Sequence, residues 1–588
     1  MNKNDTISKV LYIDLTKKKH WVEDRSDLFS KYIGGTGVAI KLLQENIVSG
    51  CDPLAPDNPL ILAVGPLTGV FPLASKTVAM FKSPLTGDLG ESHAGGRSAV
   101  AIRSTGYGAI VITGKSPYPI YISIKNGKIS FKNAYTLWGM RSCFQVGAII
   151  REQEEGSGER AIMRIGKGGE TGVAYAAVTT ETYRHFGRLG MGAVMGSKNL
   201  KAIAVSGKNT IPVSDKKLYK EVYDEIYNAA VNSEVMKKYH DLGTAGNVKT
   251  LQMIGALPTR NLQSGTFEDS DKIGGRKIAE DYLGRRLACA HCPVGCIHIA
   301  TIRDPYNDEP YFYKSTQVGY DFELIYALGS SLGISDPIGM LKLFDEVEVY
   351  CIDAMSTGVS LAWTTEMFER GLITKEDTDG LEFKFGDHET YKKAILKIVD
   401  QPTDFYKALA KGTNHAASIY GGEEFSLNFG KNEMPGYHTG PACYLGYSIG
   451  ARHSHLCNAG YALDQKMIVN DTKETPISIV DKLMEEEMWR QVLSGLTICF
   501  FARGIYSMDV VRKALKVAGM DFTEEEINNI GKEIYAEKYR FKFQEGFSFD
   551  NQKFPKRIFE TKSPSLKFDE KYLRDGLDYA DKKIKDLL

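Results

Sequence analysis

Arg184-His-Phe-Gly-Arg-Leu-Gly-Met-Gly-Ala-Val-Met-Gly-Ser-Lys-Asn-Leu-Lys-Ala202 is an apolar, glycine-rich block with two arginines among its first five residues. Arg184 and Arg188 in such surroundings read as phosphate clamps rather than solvated charges, because a guanidinium fork meets phosphate oxygens in pairs. Glycine is also in excess along the whole chain, at 58 of 588 residues, against an average of about 7%. It has no collagen period, so it marks tight turns and close backbone approach to a ligand. Outward from the block, the first 207 residues read as strand and turn. Leu60–Val64, Gly108–Thr113 and Ala202–Val205 are apolar, β-branched runs between Gly/Pro punctuation. Gly65-Pro-Leu-Thr-Gly69 and Ser83-Pro-Leu-Thr-Gly87 repeat a tetrapeptide eighteen positions apart. They are either two similar turns or the trace of a duplicated half-unit supporting a pseudo-symmetric ligand.

After Lys208 the pattern turns helical. Ser214 can cap a helix carrying Leu218, Val222, Ile226 and Ala229 on one face. Ser335–Cys351, Glu389–Ile398, Thr403–Lys411 and Ile479–Phe500 follow, and Thr523 with Glu526 has capping-box spacing before a helix to about Phe541. The expected division is a strand-rich unit over 1–207 and helical units over 208–420 and 421–588. The length agrees, since single cores stop growing near ~250–300 residues. Lys+Arg and Asp+Glu both number 73, which removes the basic footprint of a nucleic-acid or anionic-membrane binder. No export signal opens the chain and no apolar run reaches the ~18–20 residues that span a bilayer. A cytoplasmic setting is expected, where clustered cysteines bind metal rather than each other.

Of nine cysteines, three form Cys289-x2-Cys292-x3-Cys296 within LACAHCPVGCIH (287–298). Three thiols within eight residues can wrap one centre, with backbone N–H groups turned to sulfur. A fourth ligand is needed, and His291, His298 or a distant cysteine could supply it. By spacing alone, structural zinc and a [4Fe–4S] cluster both stay open.

The chain as a whole resembles the tungsten-containing aldehyde:ferredoxin oxidoreductase family. The resemblance runs through Tyr32-Ile-Gly-Gly-Thr-Gly-Val38, the two Pro-Leu-Thr-Gly turns, Gly106-Tyr-Gly-Ala-Ile110 and the 187–202 block. It continues through Leu257-Pro-Thr-Arg-Asn261, the cysteine trio, Gln544-Glu-Gly-Phe547 and Phe554-Pro-Lys-Arg-Ile-Phe-Glu560. It implies an α+β fold: a β-rich, pseudo-symmetric pterin-binding domain followed by two mainly α-helical domains. It also implies tungsten (or molybdenum) held by two pterins, Mg2+ bridging the pterin phosphates, and one [4Fe–4S] cluster. Cys499, in Leu496-Thr-Ile-Cys-Phe500, matches the cluster's fourth cysteine. The positions matching the family's pterin-binding stretches are Lys76, His93, Gly95, Gly96, Arg184, His185, Gly187 and Arg188. Two later motifs end in Gly-Leu-Asp or Gly-Leu-Cys in the family. Here they read Glu348-Val-Tyr-Cys-Ile-Asp353 and Ser494-Gly-Leu-Thr-Ile-Cys499. Asp353 is kept as a pterin hydrogen-bond acceptor, while Cys351 and Thr497 stand in place of the glycines and Ser494 in place of the acid.

The family's catalytic carboxylate matches Glu323 in Gly319-Tyr-Asp-Phe-Glu323, which can also be a first-turn acid facing a helix dipole. Arg452-His-Ser-His-Leu456 matches the stretch with a metal-site histidine, assigning His455 as donor to a substrate or metal oxygen and His453 as its support. Cys443 and Cys457 read as buried thiols. The leading expectation is an oligomeric enzyme oxidising a small aldehyde to a carboxylic acid, with electrons passing to ferredoxin or a ferredoxin-like iron–sulfur small subunit. Two rivals are a class II benzoyl-CoA reductase-like catalytic subunit and a non-catalytic iron–sulfur or zinc protein retaining the fold.

Overall fold

A computed structural model describes residues 5–181, 183–306 and 309–588. Two six-stranded sheets build the N-terminal third. Across the first sheet the strands run Lys19–Asp24, Lys9–Asp14, Ala109–Thr113, Leu60–Ala63, Thr77–Lys82 and Leu89–Ala94. Across the second they run Lys128–Asn133, Ile120–Lys125, Leu200–Ser206, Ala161–Arg164, Val178–Thr179 and His185–Phe186. The two sheets share one topology. Each opens with an antiparallel hairpin, continues through three antiparallel strands, and closes with a return strand parallel to its first. A helix precedes the three strands in both halves (Gly35–Asn46 and Cys143–Gln153), and another precedes the return strand (Ser98–Ser104 and Met191–Ser197). Leu60–Ala63 and Leu200–Ser206 are buried along their whole length because helices cover both faces of the sheets.

The N-terminal region is therefore a structural duplication. The Pro-Leu-Thr-Gly echo does not record it, since both copies lie in the first half. They are two similar turns, each ending on a glycine with left-handed backbone (Gly69 φ +74°, Gly87 φ +84°). The 184–202 block supplies a strand, a helix and a return strand. Its Gly190 has φ +88°, and a Cβ there would lie 2.1 Å from the carbonyl oxygen of Ala174. Glycine is obligatory at that corner.

The rest of the chain is mainly helical. Thr523 and Glu526 close their capping box on helix Glu524–Gln544. Ser214 is not a cap; Asp215 takes that place for Lys216–Val231, while the Ser214 hydroxyl bonds Lys516 and Val517 carbonyls. The region around the cysteine trio is a three-stranded antiparallel sheet, Leu283–Leu287, Ile297–Tyr306 and Glu309–Tyr320. The β-branched alternation in Ile297-His-Ile-Ala-Thr-Ile302 wins there over the helical surroundings. Among the described residues no single helix is long and apolar enough to cross a membrane.

Two helical-region segments dock on the two halves in matching ways. Thr497 O accepts from Lys76 N (3.1 Å) and Cys499 N donates to Leu73 O (2.9 Å). On the other half Cys351 O accepts from Ala177 N (2.8 Å) and Asp353 N donates to Tyr175 O (3.0 Å). Thr497 (φ +60°) and Cys351 (φ +57°) both hold the left-handed backbone that the family's glycines would take without strain. Behind Thr497, Gly35 (φ +42°) leaves no room for a Cβ, which would fall 2.2 Å from Ser494 O. Gly35→Ala should therefore lower stability by about 1–3 kcal/mol through overpacking, read as a lower denaturation midpoint; an unchanged midpoint would show that this contact can part freely.

Candidate functional site

The cysteine trio occupies the loop 288–296 that joins Leu283–Leu287 to Ile297–Tyr306. Leu73 ties this loop to Cys499: its N–H donates to His291 O (3.1 Å) while its carbonyl accepts from Cys499 N. Ala290 N donates to Gly96 O at 2.8 Å, fixing the loop to the first half a second time. A Cβ on Gly95 would stand 2.8 Å from Cys289 Sγ, so only glycine lets the loop sit there. All four thiols are free and partly buried. Burial raises the Cys289 thiol, but Arg184 and Lys76 outweigh it and bring it below its usual value. Cys292, without such cations, is pushed up to about 12 by burial. Arg184 Nη2 lies 3.7 Å from Cys296 Sγ. His298 is not turned toward the thiols; its ring nitrogens face the carbonyls of Cys296 (3.1 Å) and His240 (3.0 Å). Among the described residues no three His, Cys, Asp or Glu side chains close around a single ion. What fits the four thiols to a cluster is the shared Leu73 anchor, the adjacent cations and the glycine clearance. In Cys499→Ser, iron should fall well below about four atoms per chain while the fold, followed by circular dichroism, is kept; full iron would remove Cys499 from the ligand set.

The duplication places a histidine in each half, paired with a carboxylate that comes from the same strand in the first half and from helix Pro337–Tyr350 in the second. His93 Nε2 is 2.7 Å from Glu91 Oε1, and His185 Nε2 is 2.8 Å from Glu348 Oε2. Burial and then Arg452 bring His93 down to about 4, leaving it neutral. His185 is raised, because Glu348 outweighs burial. Arg188 Nε donates to Asp353 Oδ2 (3.1 Å) and Nη2 to Glu433 O (2.7 Å), while Nη1 is buried without a partner. Arg184 Nε is likewise unpartnered. A bound anion would satisfy both, so the clamp chemistry of these arginines fits phosphates. Asp353 caps helix Ala354–Glu369 through Met355 N and Ser356 N. A Cβ on Gly187 would meet nothing within 4 Å, so backbone there borders open space.

Glu323 lies in the first turn of helix Phe322–Leu328, which Asp321 caps. Its Oε2 accepts from Gly436 N (3.1 Å), and its Oε1 is 3.4 Å from His455 Nε2. Burial pushes Glu323 up to about 8, with Asp321 and Asp353 adding to it against the Gly436 N–H. Burial, then Arg188, Arg490 and Arg452, brings His455 down to about 3. Near neutral pH this is a protonated carboxyl beside a neutral imidazole. Glu323 Oε1 and His455 Nδ1 have no hydrogen-bond partner in the protein, so the pair can engage a ligand.

The neighbouring histidine is not part of this pair. His453 is buried between Tyr447 O (3.0 Å to Nδ1) and Lys542 Nζ (3.0 Å to Nε2), and Lys542 in turn meets Asp88 at 2.9 Å. A lysine ammonium only donates, so Nε2 accepts and Nδ1 carries the proton. Its left-handed backbone (φ +50°) turns His453 away from His455. Two contributors were not singled out from the sequence. Tyr437 stacks on Tyr461 at 4.3 Å and lies 5.3 Å from the His455 ring, walling the pair with aromatic surface. Arg452 stands in the quoted Arg-His-Ser-His stretch, and its charge reaches Glu91, His93 and His455 together.

Against known proteins, residues 10–207 match the model of the aldehyde ferredoxin oxidoreductase N-terminal domain, and 218–581 match that of its domains 2 and 3. A tungsten-containing aldehyde ferredoxin oxidoreductase from Thermococcus kodakarensis is 33% identical over 95% of this chain and 92% of its own. One from Pyrococcus furiosus is 34% identical over 92% and 89%. An aliphatic sulfonate oxidoreductase WOR-like subunit from Pyrococcus furiosus is 32% identical over 70% and 66%. In fold, the chain is similar to the active-site complex of benzoyl coenzyme A reductase solved with 1,5-dienoyl-CoA. That likeness has a TM-score of 0.82 at 21% identity, over 99% of this chain and 94% of the other.

Proposed function

Since this chain belongs to the tungsten-containing aldehyde ferredoxin oxidoreductase family, we propose that it oxidises a small aldehyde to its carboxylic acid at the Glu323–His455 pair. The observation that carries this reading is a carboxyl held near pH 8 against a neutral imidazole, with one atom of each left open. When bound, a tungsten (or molybdenum) bis-pterin would take up two electrons, and a [4Fe–4S] cluster on Cys289, Cys292, Cys296 and Cys499 would relay them singly. The acceptor is ferredoxin or a ferredoxin-like iron–sulfur small subunit. Lys76, Arg184 and Arg188 would hold the pterin phosphates together with Mg2+, while Gly95, Gly96 and Gly187 would let backbone approach the cofactor. His93 and His185 present their outer ring edges from equivalent strands, and Asp353 orients Arg188.

The acid product takes its second oxygen from water, so the site must remove protons as electrons leave. In its base form, which grows as pH nears 8, Glu323 Oε1 accepts the proton of the attacking water, or of the aldehyde hydrate. His455 donates from Nδ1 to the carbonyl oxygen, steadying the charge that develops there. Tyr437 and Tyr461 exclude bulk water, which strengthens both interactions. His453 acts one layer below, holding Lys542.

The test is anaerobic purification followed by metal analysis and a panel of aldehydes assayed with a viologen or ferredoxin acceptor. Tungsten or molybdenum with aldehyde-dependent reduction is expected. Turnover of an aryl-CoA thioester with inert aldehydes would replace the reaction, and absence of pterin with intact iron would leave a non-catalytic iron–sulfur protein.

A further inference from the structure

Cys351 holds a left-handed backbone (φ +57°) that suits glycine, and the reaction above makes no use of it. Its thiol is not solitary. Cys143, at the start of helix Cys143–Gln153 in the second half, is fully buried beside it. Cys351 Sγ lies 2.9 Å from Thr179 Oγ1 and donates to Ala177 O (3.2 Å), while Cys143 Sγ is 3.7 Å from the same hydroxyl and donates to Glu348 O (3.1 Å). The two thiols pack in one small buried cluster with Ala177 and share the Thr179 hydroxyl. At the equivalent place in the first half stand Gly35 and Thr497, so the thiol pair is confined to the half away from the cluster. A cleft of about 540 Å³ lies next to the pair, whose own sulfurs are buried behind its wall. It is lined by Ser142, Phe144 and Gln145, which flank one cysteine, and by Val349, two residues before the other.

We infer that Cys143 and Cys351 form a thiol–disulfide exchange site, taking a low-molecular-weight disulfide through this cleft and closing into a disulfide between the strand-rich region and the segment that carries Asp353. The Cys143 thiolate attacks the incoming disulfide, forming a mixed disulfide and releasing one thiolate. Cys351 sulfur then attacks Cys143 sulfur, giving its proton to the departing thiolate, and the second small thiol leaves. Two protein thiols are oxidised by two electrons, and one small disulfide is reduced to two thiols. The pairing suits this chemistry, because the neighbouring Cys351 and then Arg164 bring the Cys143 thiol down to about 7 against burial, while burial keeps Cys351 protonated. The product would pin Glu348 and Asp353 to the second sheet, opposite the electron exit.

The inference does not depend on the reaction catalysed. Holoenzyme is incubated anaerobically with glutathione disulfide, alkylated in denaturant and digested with trypsin. The expected result is that two of the nine thiols become unreactive and that peptides 142–151 and 343–370 are recovered linked. Cys351→Gly, which restores the residue suited to φ +57°, should instead accumulate glutathione on Cys143. Full alkylation of both cysteines in the wild-type chain, glutathione stalled on Cys143 there, or an unmodified Cys143 in Cys351→Gly would each overturn it.

Discussion

Glu323→Gln retains metal, iron and fold but turns over about 10²–10⁴-fold more slowly, the span that a positioned acid–base group contributes. Glutamine keeps the acceptor for Gly436 N–H, so the helix start and its packing stay in place, and only proton transfer is lost. The pH profile gives a second reading of the same group. With Glu323 at about 8, the base form grows as pH rises toward that value, so kcat/KM climbs on the alkaline side of neutrality. In the Gln variant that limb should be flat. Stability runs the other way. From its ordinary value of 4.5 up to about 8, folded Glu323 keeps a proton that the unfolded chain has lost, so its contribution falls as pH rises through that window. Undiminished turnover in Glu323→Gln would transfer the base role to another group.

Lys538→Met should cost about 3–5 kcal/mol of stability, the usual result of removing one partner from a buried ion pair. Lys538 Nζ meets Glu91 Oε2 at 2.6 Å and donates to Gln491 at 2.6 Å, and both charged side chains are almost wholly buried. Glu91 is also the carboxylate that holds His93, so the pair joins helix Glu524–Gln544 to the strand bearing that histidine. Burial would raise Glu91, but Lys538 and Arg452 outweigh it and hold it well below 4.5. Its stabilising share is thus full above pH 4.5 and drains as acid approaches its folded value. Denaturant midpoints measure the loss. Lys538→Met with Glu91→Leu should recover stability, since apolar replacement of a whole buried pair is often neutral or better. Cofactor content should nevertheless stay low, because His93 has lost its holder. A single variant as stable as the parent would mean that water reaches the pair.

The apolar runs at Leu60, Ala109 and Leu200 became strands, and the capping box at Thr523 opened its helix, because those signals are local and several agree at each place. The duplication was expected from the family resemblance but had no signal in any sequence repeat, for the opposite reason. Topology is set by which strands pair, and the two halves reach one pairing scheme without a shared sequence repeat. The cysteine trio was plain in the sequence, whereas its mounting on a strand hairpin was obscured by helical neighbours on both sides. His453 and His455 stand two apart and look alike on paper. A left-handed residue separates them, sending one to Lys542 and the other to Glu323. Glu91 and Lys538 are 447 positions apart, so no window along the chain could join them. Arg188 was legible because a guanidinium among glycines and apolar residues needs an explanation, and its unpartnered Nη1 supplies one.

The matched docking of Ser494–Cys499 and Glu348–Asp353 on the two halves has a practical consequence. The frame is symmetric but its cargo is not, for a thiol at Cys499 faces a carboxylate at Asp353. On the proposed reading, electrons would leave by the Cys499 side only. Paired lesions at Thr497 and Cys351 should therefore have unlike costs, the first slowing delivery to the acceptor, the second loosening the grip on the cofactor. One fold thus allows conductance and retention to be altered separately.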